Sequence, residues 1–201
     1  MRALATALLF GFVAQSTGQN PSLPKSGLSR EASDAFGRKL QTLERYEHDP
    51  RAKPAPVSVF ESELNSYLRF ELAEKIPRGL RDVRVILREG RLELRGLANL
   101  SEFAEIKEKA ASGMSLLGLL GGEVSVEIVA AFKSDKGFGQ FDLLSAQIGP
   151  VPLSPAMVSE IVARITVDPG RPAGFDIRSP FRLPYAAKRI RPQQAQAIVE
   201  Y

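Results

Sequence analysis

Glu123-Val-Ser-Val-Glu-Ile-Val-Ala-Ala-Phe-Lys-Ser-Asp135, then Lys136-Gly137, then Phe138-Gly-Gln-Phe-Asp-Leu-Leu-Ser-Ala-Gln-Ile148 is the stretch that decides the fold. Val124, Val126, Ile128, Ala130 and Phe132 occupy every second position, with Glu123, Ser125, Glu127 and Lys133 mostly on the opposite phase. A two-residue period is the period of a strand, whose successive side chains point to opposite faces. Asp135-Lys136-Gly137 supplies turn chemistry. On the return the phase of Phe141 and Leu143 gives way to that of Leu144, Ala146 and Ile148, which predicts a bulge or burial on both faces. Strands of about eleven residues reach roughly 36 Å, twice the usual length, so a small domain holding them needs a strongly coiled sheet.

Working outward, Val83, Val85 and Leu87 alternate with polar residues, Glu89-Gly90 forms a turn, and Leu92, Leu94 and Leu97 continue a second hairpin. Upstream, Ser58 with Glu61 three residues on reads as a capping box, and Pro77 as a stop. These predict a helix over Ser58 to Ile76, about 27 Å long, with Phe60, Leu64, Tyr67, Leu68, Leu72 and Ile76 on a wide apolar face. Downstream, Ser154 as N-cap and Pro155 at the first helical position open a helix carrying Met157, Val158, Ile161, Val162 and Ile165. Ser101 to Ala111 is helix-compatible, and Arg182 to Tyr201 reads as further strands with Gln193-Gln194 as their turn. The order predicts an α+β fold, an antiparallel sheet wrapped around a long helix.

The chain has 201 residues and one proline-rich joint, Pro54-Ala55-Pro56, enough for a single domain. Arg2, an apolar run from Ala3 to Ala14 and the small or polar Gln15 to Gly18 have the layout of a secretory signal. A run of about twelve residues spans roughly 18 Å, well short of the ~30 Å hydrocarbon core, so no transmembrane helix is expected after cleavage. The organisation is therefore a signal peptide over 1–18, a domain over 57–201, and between them residues 19–56. This middle part is a lead-in, a short amphipathic helix over Arg30 to Glu47 and the linker.

With no Cys, no Trp and His48 as the only histidine, disulfide frameworks, Cys/His zinc sites, thiol nucleophiles and most histidine-dependent mechanisms fall away. No Walker loop or Gly-x-Ser-x-Gly elbow is present, and the glycines from Gly118 to Gly122 lack the lysine of a phosphate cradle. Glu61 with Asn65, and the two acids Asp142 and Glu127 placed opposite one another, could in principle build a site for glycoside chemistry. Capping and exposed sheet positions explain them better. No cofactor or metal is expected, and the reading is non-enzymatic.

Phe60-Glu-Ser-Glu-Leu-Asn-Ser-Tyr-Leu68, the Gly90 hairpin, Gly137-Phe-Gly-Gln-Phe-Asp142, Gly149-Pro-Val-Pro-Leu-Ser-Pro155 and Phe181-Arg-Leu-Pro-Tyr185 together resemble a group of uncharacterised exported bacterial envelope proteins. Ala186 stands where such sequences often carry glycine. By element order the group is loosely similar to the TULIP-like (tubular lipid-binding) and AsmA-like proteins. That resemblance implies a half-barrel whose sheet wraps a long helix and leaves a groove for acyl chains, in the periplasm or outside the cell.

Two features of the residues agree with a lipid ligand. Met114-Ser-Leu-Leu-Gly-Leu-Leu120 is an apolar loop, either core or the rim of an apolar opening. From Arg171 to Tyr201 six cations (Arg171, Arg178, Arg182, Lys188, Arg189, Arg191) face only Asp176 and Glu200. Nucleic acid is a poor partner, because stacking aromatics are scarce among them and the chain reads as exported. The expected acyl contacts are Leu64, Tyr67, Leu68, Met114, Leu116, Leu117, Leu119 and Leu120, with Arg182, Lys188, Arg189 and Arg191 at the anionic head of a diacyl lipid. The alternative is a structural or protein-binding envelope domain with a fully packed core.

Overall fold

A computed structural model of the protein describes residues 27–49, 51, 54–77, 79–99, 102, 122–167 and 169–201. The predicted signal, most of the lead-in, and the apolar loop of Met114 to Leu120 lie outside the described residues.

The described chain is a mixed α+β fold with three helices and two antiparallel sheets, and neither sheet closes into a barrel. The larger sheet runs β2 (Leu80–Arg88), β3 (Arg91–Asn99), β4 (Glu123–Asp135), β5 (Phe138–Ile148) and β6 (Val151–Pro152), with β7 (Phe181–Arg182) also paired to β5. The smaller is β1 (Val57–Phe60), β9 (Gln196–Glu200) and β8 (Arg189–Gln193), with β9 in the middle. The helices are α1 (Arg30–His48), α2 (Glu61–Phe70) and α3 (Pro155–Ile165).

The alternating residues form cross-strand rows, the unit by which sheets gain side-chain stabilisation. Val85, Leu94, Ile128 and Ala146 make one row, and Leu87, Leu92, Ala130 and Leu143 the next. Val126, Ile128, Ala130 and Phe132 are all buried, as the period requires. On the other face Arg95 lies 3.7 Å from Glu127 and 3.6 Å from Glu93. The phase change in β5 is a bulge. Val129 pairs with Ser145 and Ala130 with Leu143, so Leu144 is the extra residue and is 51% exposed.

The helix predicted over Ser58 to Ile76 is shorter. Val57–Phe60 is a strand in register with Val199 to Gln196, so Ser58 faces Ile198 in a ladder and cannot cap a helix. Helix α2 begins at Glu61, and Glu63, not Glu61, reaches back to the Phe60 N–H at 2.9 Å. It ends at Phe70, and a 3₁₀ turn over Ala73–Lys75 follows while Leu72 enters the core. Ten residues give about 15 Å rather than the expected 27 Å. The late turn also sits one residue on, at Gln194-Ala195.

The small sheet is fastened across the turn ends of the large one. Ser134 Oγ donates to the Ile190 carbonyl at 2.6 Å and accepts from its N–H at 2.8 Å. Gly90 N–H reaches Pro192 O at 3.1 Å, and Gly137 N–H reaches Lys188 O at 2.9 Å. The amphipathic helix α1 packs on α2, and its Phe36 and Leu43 share one core with Val59, Leu64 and Val199.

Candidate functional site

Helix α1 is fixed at its N-terminus and by one ion pair. Ser29 Oγ accepts from Ala32 N–H at 3.1 Å as N-cap, and Lys39 Nζ lies 2.6 Å from Glu63 on α2. Phe36 meets Tyr67 edge to face at 5.0 Å. The apolar spacing of Phe36, Leu40 and Leu43 then turns one stripe of α1 down onto the small sheet.

Beneath that stripe is a cavity of about 180 Å³. Phe36, Leu40 and Leu43 roof it, while Val59, Ala197 and Val199 of the small sheet form one wall. Leu64 and Leu87 contribute on the α2 side, and Phe132, Phe141 and Phe181 on the side of β4, β5 and β7. Two arginines, Arg171 and Arg182, also line it, and among the described residues no acidic side chain does.

The wall bearing those arginines is built of rings. Phe181 stacks on Phe141 at 5.3 Å and meets Phe175 edge to face at 5.2 Å, while Phe132 and Phe141 lie 4.9 Å apart. Gly139, paired with Phe181 in register, lets them lie this close, since a Cβ there would come within 2.9 Å of Leu183 and 3.0 Å of the Phe181 ring. The turn carrying Arg171 is anchored on the end of α3. Thr166 Oγ1 donates to Val162 O and accepts from Phe175 N–H, both at 2.6 Å. Gly174 sits under the same helix end with φ +72°, where a Cβ would fall 1.7 Å from Ala163 O. Phe175 in turn carries the Arg171 guanidinium 5.3 Å from its ring centroid.

Electrostatically the lining is unusual in two respects. Arg171 Nη1 is buried and has no hydrogen-bond partner among the described residues. Leaving a buried donor unpaired costs about 1–3 kcal/mol, more for a charged group. Second, Tyr185 is held at φ +58° and Ala186 at φ +54°, left-handed backbone that an L side chain adopts at a cost of roughly 1–3 kcal/mol. The Tyr185 ring on the cavity wall is 5% exposed, and burial, then Glu44 on α1, push its hydroxyl up to about 12. Tyr201, edge to face with Tyr46 at 5.0 Å, is also pushed up to about 12, first by burial.

Of the residues singled out in the sequence, Leu64 and Arg182 line this cavity. Leu68 is buried in the core, and Tyr67 packs against it and on Phe36. Met114, Leu116, Leu117, Leu119 and Leu120 lie outside the described residues. Lys188 is exposed, whereas Arg189 is bound to Asp135 at 2.7 Å and Arg191 to Glu200, so neither guanidinium is unpaired. The carboxylate combinations do not form reaction centres. Asn65 Nδ2 donates to Val85 O at 2.7 Å and its Oδ1 accepts from Val85 N–H at 2.8 Å, while Glu61 accepts from Leu87 N–H at 2.8 Å. Asp142 faces Ala131, not Glu127, which puts it about 13 Å along the strand from Glu127 and beside Lys133 at 2.7 Å. His48 is exposed, with Nδ1 2.9 Å from Glu44 O.

Sequence reasoning counted Arg171 only as one cation of six and gave the α1 stripe no role in a site. An arginine four residues before a phenylalanine in a Pro/Gly turn was the available signal, because that spacing suits a guanidinium resting on a ring. Comparison with family models, with curated proteins and with solved structures returns no match.

Proposed function

We propose that the protein is a non-enzymatic exported envelope protein that takes an acyl chain into the cavity beneath α1. The carrying observation is the cavity itself, about 180 Å³ with a lining almost wholly apolar. Apolar cavities near 150 Å³ hold a six-carbon ring, so this one suits a segment of about six to eight carbons. Sheltering such a segment gains on the order of 5 kcal/mol gross, at about 0.8 kcal/mol per methylene. Two full-length chains exceed the space, so the diacyl ligand expected from sequence gives way to a single chain. In this reading the large sheet and the two helices on it act as a TULIP-like half-barrel with a shortened inner helix. The backbone strain at Tyr185 and Ala186 supports it, because strain of that size is kept where a side chain has to be aimed.

Native mass spectrometry of gently purified protein, with uptake of a fluorescent acyl probe, tests the reading. A co-purifying lipid mass and saturable uptake are expected, and Ala197→Phe, which fills the cavity from its wall, abolishes the uptake while the circular dichroism spectrum is kept. No bound mass and no uptake would leave the structural or protein-binding domain in its place. Export is tested separately by N-terminal sequencing of secreted material, with the mature chain beginning near Thr17 or Gln19.

A further inference from the structure

We propose that the head of the ligand is a carboxylate held at the cavity lining by Arg171, with the exposed Arg182 on the same lining, so that the ligand class is the medium-chain carboxylic acids. This rests on the acyl-chain reading of the same cavity and names what that reading leaves open. Three observations converge on the head group. Both arginines line the cavity and neither makes an ion pair among the described residues, whereas Arg178, Arg189 and Arg191 of the same basic region are each paired to a carboxylate. The Arg171 guanidinium rests on Phe175 and its Nη1 is packed into the protein without a partner, so no group among the described residues meets its charge. Among the described residues no carboxylate lines the cavity to compete for that cation.

A planar guanidinium matches a carboxylate in parallel N–H···O bonds, which a neutral hydroxyl or a cationic amine ligand does not exploit. In apolar surroundings a buried cation is costly unless an anion joins it, so the site discriminates by sign more strongly than exposed cations do. Exposed cations such as Lys188 would lose their hold as salt is added; a partly buried pair is screened much less.

Isothermal titration calorimetry of the whole protein with octanoate, octanol and octylamine, at low salt and at 0.5 M NaCl, tests the assignment. Octanoate is expected to bind at least about tenfold more tightly than octanol, with octylamine weakest, and to keep most of that preference in high salt. Arg171→Gln should bring octanoate down to the level of octanol while octanol changes by less than about twofold. Equal binding of octanoate and octanol by the wild-type protein would overturn the carboxylate assignment and leave the acyl cavity standing. So would a preference that disappears in 0.5 M NaCl, which would place the anion on surface cations. If none of the three binds, the acyl reading itself fails. The wild-type ligand series decides without any variant, so a poorly folded Arg171→Gln leaves the test intact.

Discussion

The domain closes over its large sheet in two ways. Along the edge of β2, helix α2 replaces a missing strand with side chains: the Asn65 amide takes both backbone groups of Val85, and the Glu61 carboxylate takes Leu87 N–H. At the far side, the turn around Arg171 and β7 closes over β5 with a two-residue ladder, a cluster of rings and a tightly placed glycine. The difference teaches what each chemistry leaves behind. Directional bonds at 2.7–2.8 Å satisfy the strand edge, whereas close-packed rings with centroids near 5 Å present an apolar surface that forms one wall of the cavity. One closure specifies position; the other lines a space.

The strongest way to break the comparison is Gly174→Ala. A methyl 1.7 Å from Ala163 O cannot be accommodated, so the turn must leave α3, and a loss of about 3–5 kcal/mol in urea unfolding is expected, together with acyl-probe binding. A loss below about 1 kcal/mol would mean that the turn re-forms without its anchor. Next, Asn65→Ala should cost about 2–4 kcal/mol, since it orphans the buried N–H and C=O of Val85, and should leave probe affinity within about twofold. If it weakens binding as much as stability, the two closures are coupled.

The third test is alkaline. Tyr185 and Tyr201 sit near 12 in the fold and near 10 when unfolded, so each neutral hydroxyl is retained more firmly by the native state. Their contribution is complete below pH 10 and is lost as pH rises towards 12, at up to roughly 1.4 kcal/mol per pH unit for each, less where solvent reaches them. Absorbance at 295 nm should show at least two of the four tyrosines ionising only near pH 12, in step with unfolding. All four ionising near pH 10 in folded protein would contradict the burial. The smallest effect is a gain. Ala186→Gly relieves a left-handed alanine and should add about 0.5–1 kcal/mol, net of the extra freedom glycine has when unfolded. No gain by thermal melting would show that the loop relaxes without it.

Where local chemistry dictated structure, the sequence was readable. The Glu89-Gly90 hairpin, the buried face of β4, the bulge at Leu144 and the Ser154-Pro155 helix start all follow from neighbours within a few residues. Ser58 misled because what governs it is a strand about 140 residues away, and no local pattern announces that Ile198 stands opposite. The candidate site was half legible for the same reason. Leu64 and Arg182 belonged to stretches already marked as apolar or basic. Arg171 acquires its meaning only when the end of α3 and the ring of Phe175 are in place, both matters of tertiary contact.

The pairing of β1 with β9 also governs the order in which the molecule can be completed. Val57 finds Val199, and Phe60 finds Gln196, so the first described strand pairs with one about 140 residues further along the chain. Loop closure over such a separation has to be met before the contacts reward it, which is the signature of a slow folder. Until residue 200 is available, the floor under α1 has no middle strand, and the hairpins of the large sheet can form ahead of it. The cavity therefore comes into existence after the hairpins of the large sheet, and a chain stalled before β9 would hold that sheet and own no cavity.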